Sequence, residues 1–317
     1  MHSSPLNESG AAAERDRRLP DFVVLGAMKA GTTALYHFLE RRDDVFMTDP
    51  KEPNFFSIPS VYERGPEWYT ALFSGARPDQ ICGEASPSYT RFPRFPAAAE
   101  RMWQLIPQTR LIYLMRHPVE RFYSNYVFDR AFGHRETIRQ TLAARPYVLE
   151  TSKYIRQIER YLEFFPREQL HLVVLEDLGP AEHLQDRARA TIMGVLDFLG
   201  LSGDPDSELA AWRSGRANER GRQHVARSCH GAVRTLRGLP GMSRAKRVVP
   251  QKMRQGFREY LTGRFPDSRL GRMIGSRRAN QAEPLTAQLR GELLKRLEDS
   301  TCELEAFLGR DLSAWRE

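Results

Sequence analysis

Residues 22–42 read FVVLGAMKAGTTALYHFLERR. Phe22–Ala27 is a short apolar run bounded by polar sequence, the pattern of a buried strand. Leu35, Phe38 and Leu39 then recur at helical spacing, so a helix is predicted from Thr32 to Arg42. Between strand and helix lies Gly26-Ala27-Met28-Lys29-Ala30-Gly31-Thr32-Thr33. Glycines at such a turn let backbone N–H groups converge, and the helix start adds donors without intrahelical partners and partial positive charge. Lys29 contributes a point charge, and Thr32 and Thr33 contribute hydroxyls. The stretch predicts a cradle for a phosphate or sulfate ester. It departs from the nucleoside-triphosphatase pattern G-x-x-x-x-G-K-[ST], because Thr32 holds the lysine position and Lys29 stands three residues earlier. That departure argues against a metal-dependent triphosphatase.

Working outward, Val45–Met47 reads as a second short strand and Arg110–Arg116 (RLIYLMR) as a third. Val119–Arg130 follows Pro118 as a helix. Tyr147–Phe165 predicts one long helix with Ile155, Ile158, Tyr161, Leu162 and Phe165 on one side. Leu170–Leu175 is another buried strand, Arg187–Leu199 a helix closed by Gly200, and Pro284–Leu308 a helix packed through Leu289, Leu293, Leu297, Leu304 and Leu308. Strands alternating with helices imply an α/β fold with a central, mostly parallel sheet flanked by helices. Such sheets bind ligands at the carboxyl ends of their strands. Arg116 ends one strand, and Ser124 follows on the next helix. A rigid guanidinium fork and a hydroxyl together suit a second phosphate.

The chain has 317 residues and a formal charge of +8. Of its 48 basic residues, 42 are Arg and 6 are Lys. Between Arg213 and Arg258 there are 13 basic residues and one acid, Glu219, so this segment carries +12 and the remainder −4. Charge placed this way asks for an anionic partner: nucleic acid, a membrane surface or a multiply charged small molecule. The segment is punctuated by Gly and Pro, and is expected to be an irregular, lid-like element at about 213–258. The expected layout is a disordered tail over 1–19 and a single domain over 20–317. Cys82, Cys229 and Cys302 form no CxxC, and His224, Cys229 and His230 lack tight metal spacing, so no metal site is expected. Without a signal-peptide core or a run of 18 apolar residues, no transmembrane segment is expected and a cytoplasmic location is.

Taken together, several stretches resemble the sulfotransferases that use 3′-phosphoadenosine-5′-phosphosulfate, in particular the heparan sulfate branch and its bacterial relatives. They are VLGAMKAGTTALYHFLERRDDV, KEPNFFS, GEASPSYT, LIYLMRHPVERFYSNY, SKYIRQIERYLEFFPREQLHLVVLEDL and LEAFLGRDLSAW. The resemblance covers residues 20–315 and implies a P-loop-like sulfotransferase fold. It implies that Lys29, Ala30, Gly31, Thr32 and Thr33 hold the donor's 5′-phosphosulfate, with Lys29 also catalytic. Arg116 and Ser124 would grip the 3′-phosphate, and Tyr154 and Arg220 would lie near the nucleotide. Glu52 in KEPNFF falls on the position of the family's catalytic base. Glu84, Asn54, Phe55 and Phe56 are expected on the acceptor side.

Three departures stand out. Ala85 replaces the Lys of the branch's EKTP or EKSP pattern. Asn54 stands where some members have His. The nucleotide loop reads SGRANERGRQH in place of a Gly-aromatic-Cys pattern. They argue against a heparan-type polymer by analogy. The expected reaction is O-sulfation of a small-molecule, lipid or sugar acceptor, without metal, releasing adenosine 3′,5′-bisphosphate. A homodimer is the ordinary expectation for an oligomer. Two other readings are a P-loop-like kinase, for which Asp177 is the candidate metal ligand, and a basic nucleic-acid binder. The second lacks aromatic-basic interleaving.

Overall fold

The computed structural model describes residues 18–131, 134–214 and 282–317. They form two compact units, one from 18–115 with 156–209, the other from 116–131 and 134–155 with 210–214 and 282–317. The tail over 1–17, the basic segment beyond Ser214, Arg220, and His224, Cys229 and His230 lie outside the described residues.

Five strands belong to the first unit: β1 (Phe22–Gly26), β2 (Val45–Met47), β3 (Ile81–Ala85), β4 (Arg110–Met115) and β5 (Leu170–Val174). The order is β2-β3-β1-β4-β5, and all neighbours run parallel. The principal helices are α1 (Thr32–Glu40), α2 (Pro59–Tyr62), α3 (Pro66–Ala71), α4 (Ala98–Leu105), α5 (Pro118–Ala131), α6 (Ile138–Ala144), α7 (Tyr147–Glu150), α8 (Tyr154–Leu162), α9 (Gln185–Leu199) and α10 (Ala287–Leu308). The α/β expectation therefore holds, with a parallel sheet flanked by helices.

Parallel strands are buried on both faces and read as apolar runs. Phe22, Val23, Val24 and Leu25 of β1 and Leu111–Met115 of β4 are buried accordingly. The winding reverses between β1 and β4, which pair directly in the sheet. Their carboxyl ends are thus the switch point where open α/β sheets take ligands. Helix α1 packs against β1, β2 and β3, and α9 against β5.

Strand β3 is an element that apolar patterning does not announce. Its sequence ICGEA contains a glycine and a carboxylate, both poor strand formers. It nevertheless lies between β2 and β1, with Gly83 in register with Phe22. A Cβ at Gly83 would stand 2.1 Å from Cζ of Phe22. The glycine is therefore required by the ring of the neighbouring strand.

In the second unit, α5 buries Val119, Phe122 and Tyr126 against Leu289, Leu293 and Leu297 of α10, with Ile138, Val148 and Leu149 closing the cluster. Thr286 caps α10 by accepting the Leu289 N–H at 3.2 Å. The helix predicted over Tyr147–Phe165 is instead two pieces, α7 and α8. At the break, Thr151 Oγ1 donates to the Tyr147 carbonyl at 2.8 Å, and Ser152 Oγ donates to the Pro118 carbonyl at 2.9 Å. Hydroxyls that bond backbone carbonyls compete with helix continuation.

Candidate active site

The loop between β1 and α1 is held at both ends. The Ala27 N–H donates to the Leu114 carbonyl of β4 at 2.7 Å, and the Ala30 N–H donates to the Ala27 carbonyl at 3.0 Å. Lys29 and Gly31 both have left-handed backbone, with φ of 73° and 96°. The first helical bond of α1 runs from the Leu35 N–H to the Gly31 carbonyl, and no side chain caps this helix start. The amides of Gly31, Thr32 and Thr33 fall in that opening turn, where an α-helix supplies no acceptor. Ala30, expected among the donors, has its amide committed to Ala27. A Cβ at Gly31 would meet Cδ1 of Leu175 at 2.8 Å. Thr32 is buried, while Lys29 and Thr33 are half-buried.

A second loop of the same unit carries Glu52. Glu52 and Asn54 both take positive φ, 65° and 55°. Three contacts fix this turn from the SPS segment after β3. The Asn54 N–H donates to Ser86 Oγ at 3.0 Å, Ser88 Oγ donates to Asn54 Oδ1 at 2.5 Å, and Ser57 and Ser88 share a hydroxyl bond at 2.7 Å. Asn54 Nδ2 returns to the Glu52 carbonyl. The Glu52 side chain is exposed and pairs with Lys51 Nζ at 2.6 Å.

Beneath the turn, Glu84 is 0% exposed. Tyr69 and Tyr89 each donate to its Oε1 at 2.8 Å, and Ser86 Oγ donates to Oε2 at 2.7 Å. Burial pushes its pKa from 4.5 up to about 7 against the pull of those three hydroxyls, with Glu52 adding a smaller upward push. Phe55 and Phe56 are likewise interior. Phe55 stacks on Tyr69 with centroids 4.6 Å apart, and Phe56 meets Tyr69 and Tyr89 edge-on. Glu84, Phe55, Phe56 and Asn54 were expected beside an acceptor. The structure brings them together as the underpinning of the turn that presents Glu52. Buried Ala85, the position of the family Lys, carries no polar group there.

The second unit holds the other expected anion grip. Arg116 is the residue after β4, and its backbone is fixed by Tyr154: the hydroxyl donates to the Arg116 carbonyl at 2.5 Å and accepts from its N–H at 3.3 Å. The buried Tyr154 ring lies 5.7 Å from Trp315. Tyr154 thus touches Arg116 through its backbone. Arg116 Nη2 stands 3.7 Å from Glu120 Oε2. Ser124 is half-buried on α5. Arg121, fully buried, donates to Ser152 Oγ at 2.6 Å, to Asn125 Oδ1 at 3.3 Å and to the Val148 carbonyl. Asp177, the kinase reading's candidate ligand, is buried in the first unit and lies 3.7 Å from Arg187.

The sequence profile of the sulfotransferase domain family matches residues 19–218. The chain belongs to that family. This sulfotransferase-family chain is 32% identical over 197 residues to human heparan sulfate glucosamine 3-O-sulfotransferase 6, covering 58% of this chain and 53% of the relative. It is 32% identical over 161 residues to membrane-associated sulfotransferase kil1 of Dictyostelium discoideum, covering 48% of this chain and 33% of that one. The chain therefore spans about a third to about half the length of these curated relatives. A sulfotransferase crystal structure from Alicyclobacillus acidocaldarius superposes with a TM-score of 0.59 at 23% identity, covering 95% of this chain and all of that one. At that identity the likeness shows a common fold.

Several residues at these sites escaped sequence reasoning. Lys51, Ser86, Ser88 and Tyr89 sit inside the quoted motifs KEPNFFS and GEASPSYT, so their signal was the motif itself. Tyr69 belongs to the aromatic group Phe55, Phe56, Trp68 and Tyr69, which the sequence leaves between core and acceptor wall; its bond to Glu84 carries no local signal.

Proposed function

We propose that this chain transfers a sulfuryl group from 3′-phosphoadenosine-5′-phosphosulfate to a hydroxyl of a small-molecule, lipid or sugar acceptor. The observation that carries this reading is the loop Gly26–Thr33. It has its lysine inside the loop, at Lys29, left-handed backbone at Lys29 and Gly31, and an uncapped helix start behind it. A donor set of amides, hydroxyls and one ammonium suits the 5′-phosphosulfate. Arg116 and Ser124 take the 3′-phosphate, with Tyr154 holding Arg116's backbone.

In-line displacement forms a bond between sulfur and the acceptor oxygen as the bond from sulfur to the 5′-phosphate oxygen breaks. Lys29 neutralises charge gathering on that phosphate oxygen. Glu52 accepts the acceptor's proton. Its exposed carboxylate, set on a turn locked from below, meets the geometric need for a base that must approach an incoming hydroxyl. The leaving nucleotide is a stable anion, so the reaction asks for no metal.

Calorimetric titration with adenosine 3′,5′-bisphosphate tests the assignment. Lys29→Ala and Arg116→Ala should each weaken binding by at least about tenfold, one lost charge-assisted contact being worth roughly 1.5–3 kcal/mol. Unchanged binding in both variants would overturn the site. Turnover indifferent to EDTA separates this reading from the kinase.

A further inference from the structure

The turn after β4 contains an acid where a phosphate grip needs cations. Glu120 lies in the first turn of α5, a position that favours negative charge through the helix N-terminus. The same placement brings its Oε2 to 3.7 Å from Arg116 Nη2. An anion approaching Arg116 therefore meets a resident carboxylate that both repels it and competes for the guanidinium.

Arg290, on α10 and 170 residues away in sequence, holds that carboxylate the other way. Its Nη1 donates to Glu120 Oε1 at 2.7 Å, a full ångström closer than Arg116 comes. Its Nη2 donates to His117 Nε2 at 3.3 Å, and its Nε donates to the Glu317 carbonyl at 3.0 Å. A guanidinium only donates, so His117 Nε2 is the unprotonated nitrogen. Burial, and next to it the Arg290 charge, lower the His117 pKa, in keeping with a neutral ring. Both Nη atoms of Arg290 thus bond groups of this turn, and Nε ties the same guanidinium to Glu317.

We propose that Arg290 is a positioning residue for the anion grip: by holding Glu120, it keeps the Arg116 guanidinium available to a phosphate. The inference rests on the reading of Arg116 as the 3′-phosphate ligand. It concerns residues of α10, which lie beyond the stretch matched to the family.

A double-mutant cycle read by calorimetric binding of adenosine 3′,5′-bisphosphate tests it. Arg290→Gln should weaken binding on the order of tenfold, as Glu120 turns to Arg116. Glu120→Gln alone should tighten binding a few-fold. The double variant should bind within about threefold of Glu120→Gln, because no carboxylate remains to be restrained. A merely structural role for Arg290 predicts no such rescue, so an Arg290→Gln defect that persists in the double variant overturns the proposal, as does wild-type affinity in Arg290→Gln. Should Arg290→Gln fail to fold, Glu120→Gln decides alone: tighter binding supports the proposal, and equal or weaker binding overturns it. Absence of binding by the wild-type chain removes the underlying reading, a result distinct from every outcome above in which the wild type binds.

Discussion

Replacing Glu84 by Gln should make stability less sensitive to pH, with a calculable size. In the folded chain the Glu84 pKa stands at about 7 against an ordinary 4.5. A difference of that size corresponds to roughly 3 kcal/mol, at about 1.4 kcal/mol per pH unit. The folded pKa is raised, so the folded state binds the proton more tightly than the unfolded chain. The stabilising contribution of the neutral form is complete below about pH 4.5 and is lost as pH rises through about 7. Of the total, roughly 2 kcal/mol falls between pH 5.5 and 8.5.

Glutamine reproduces the neutral carboxyl's shape. Its carbonyl oxygen can accept from Tyr69 and Tyr89, and its amide can donate to Ser86 Oγ, which still accepts from the Asn54 N–H. Thermal melts of both proteins across that pH range should show the gap in Tm widening in the variant's favour by several degrees toward pH 8.5, then levelling. A gap that stays constant with pH would refute the reasoning, since it would mean that Glu84 does not titrate in this window.

Other expectations follow from single contacts. Glu52→Gln should reduce turnover by about 10²- to 10⁴-fold, the usual weight of a general base, while leaving affinity for adenosine 3′,5′-bisphosphate within about threefold; loss of affinity with turnover retained would sink the base assignment. Gly31→Ala should destabilise by roughly 2 kcal/mol in thermal or urea unfolding, because an L side chain is strained at φ 96° and its Cβ meets Leu175. Arg121→Met should cost about 3 kcal/mol in urea unfolding, as the Val148 carbonyl and Asn125 Oδ1 each lose a buried donor.

What the amino-acid order disclosed depended on whether the cause was local. β1 and β4 are unbroken apolar runs, and α1 follows a turn with its glycines in place, so period and composition suffice. β3 hid because Gly83 and Glu84 are chosen by neighbours, the Phe22 ring and a pair of tyrosine hydroxyls, rather than by strand propensity. The break between α7 and α8 hid for a related reason: Thr151 and Ser152 fit a helix by periodicity but bond elsewhere. At the candidate site, Lys29 and Arg116 were legible because they sit at the ends of predicted strands. The difference between presenting a carboxylate and propping one up was not. Glu52 and Glu84 look alike in sequence, yet one is exposed on a positive-φ turn and the other is sealed under three hydroxyls.

Helix α10 has a practical bearing on where this protein can be cut. The family match ends at residue 218, whereas Leu289, Leu293 and Leu297 close the apolar cluster around α5 from well beyond it. Each buried leucine is worth roughly 2 kcal/mol of transfer free energy. A fragment cut at the end of the family match would therefore keep the glycine loop, KEPNFFS, GEASPSYT and LIYLMRHPVERFYSNY, lose LEAFLGRDLSAW, and present Val119, Phe122, Tyr126 and Val148 to water as a sticky surface. The boundary that inheritance draws and the boundary that folding requires are different places in this chain, and expression trials should respect the second.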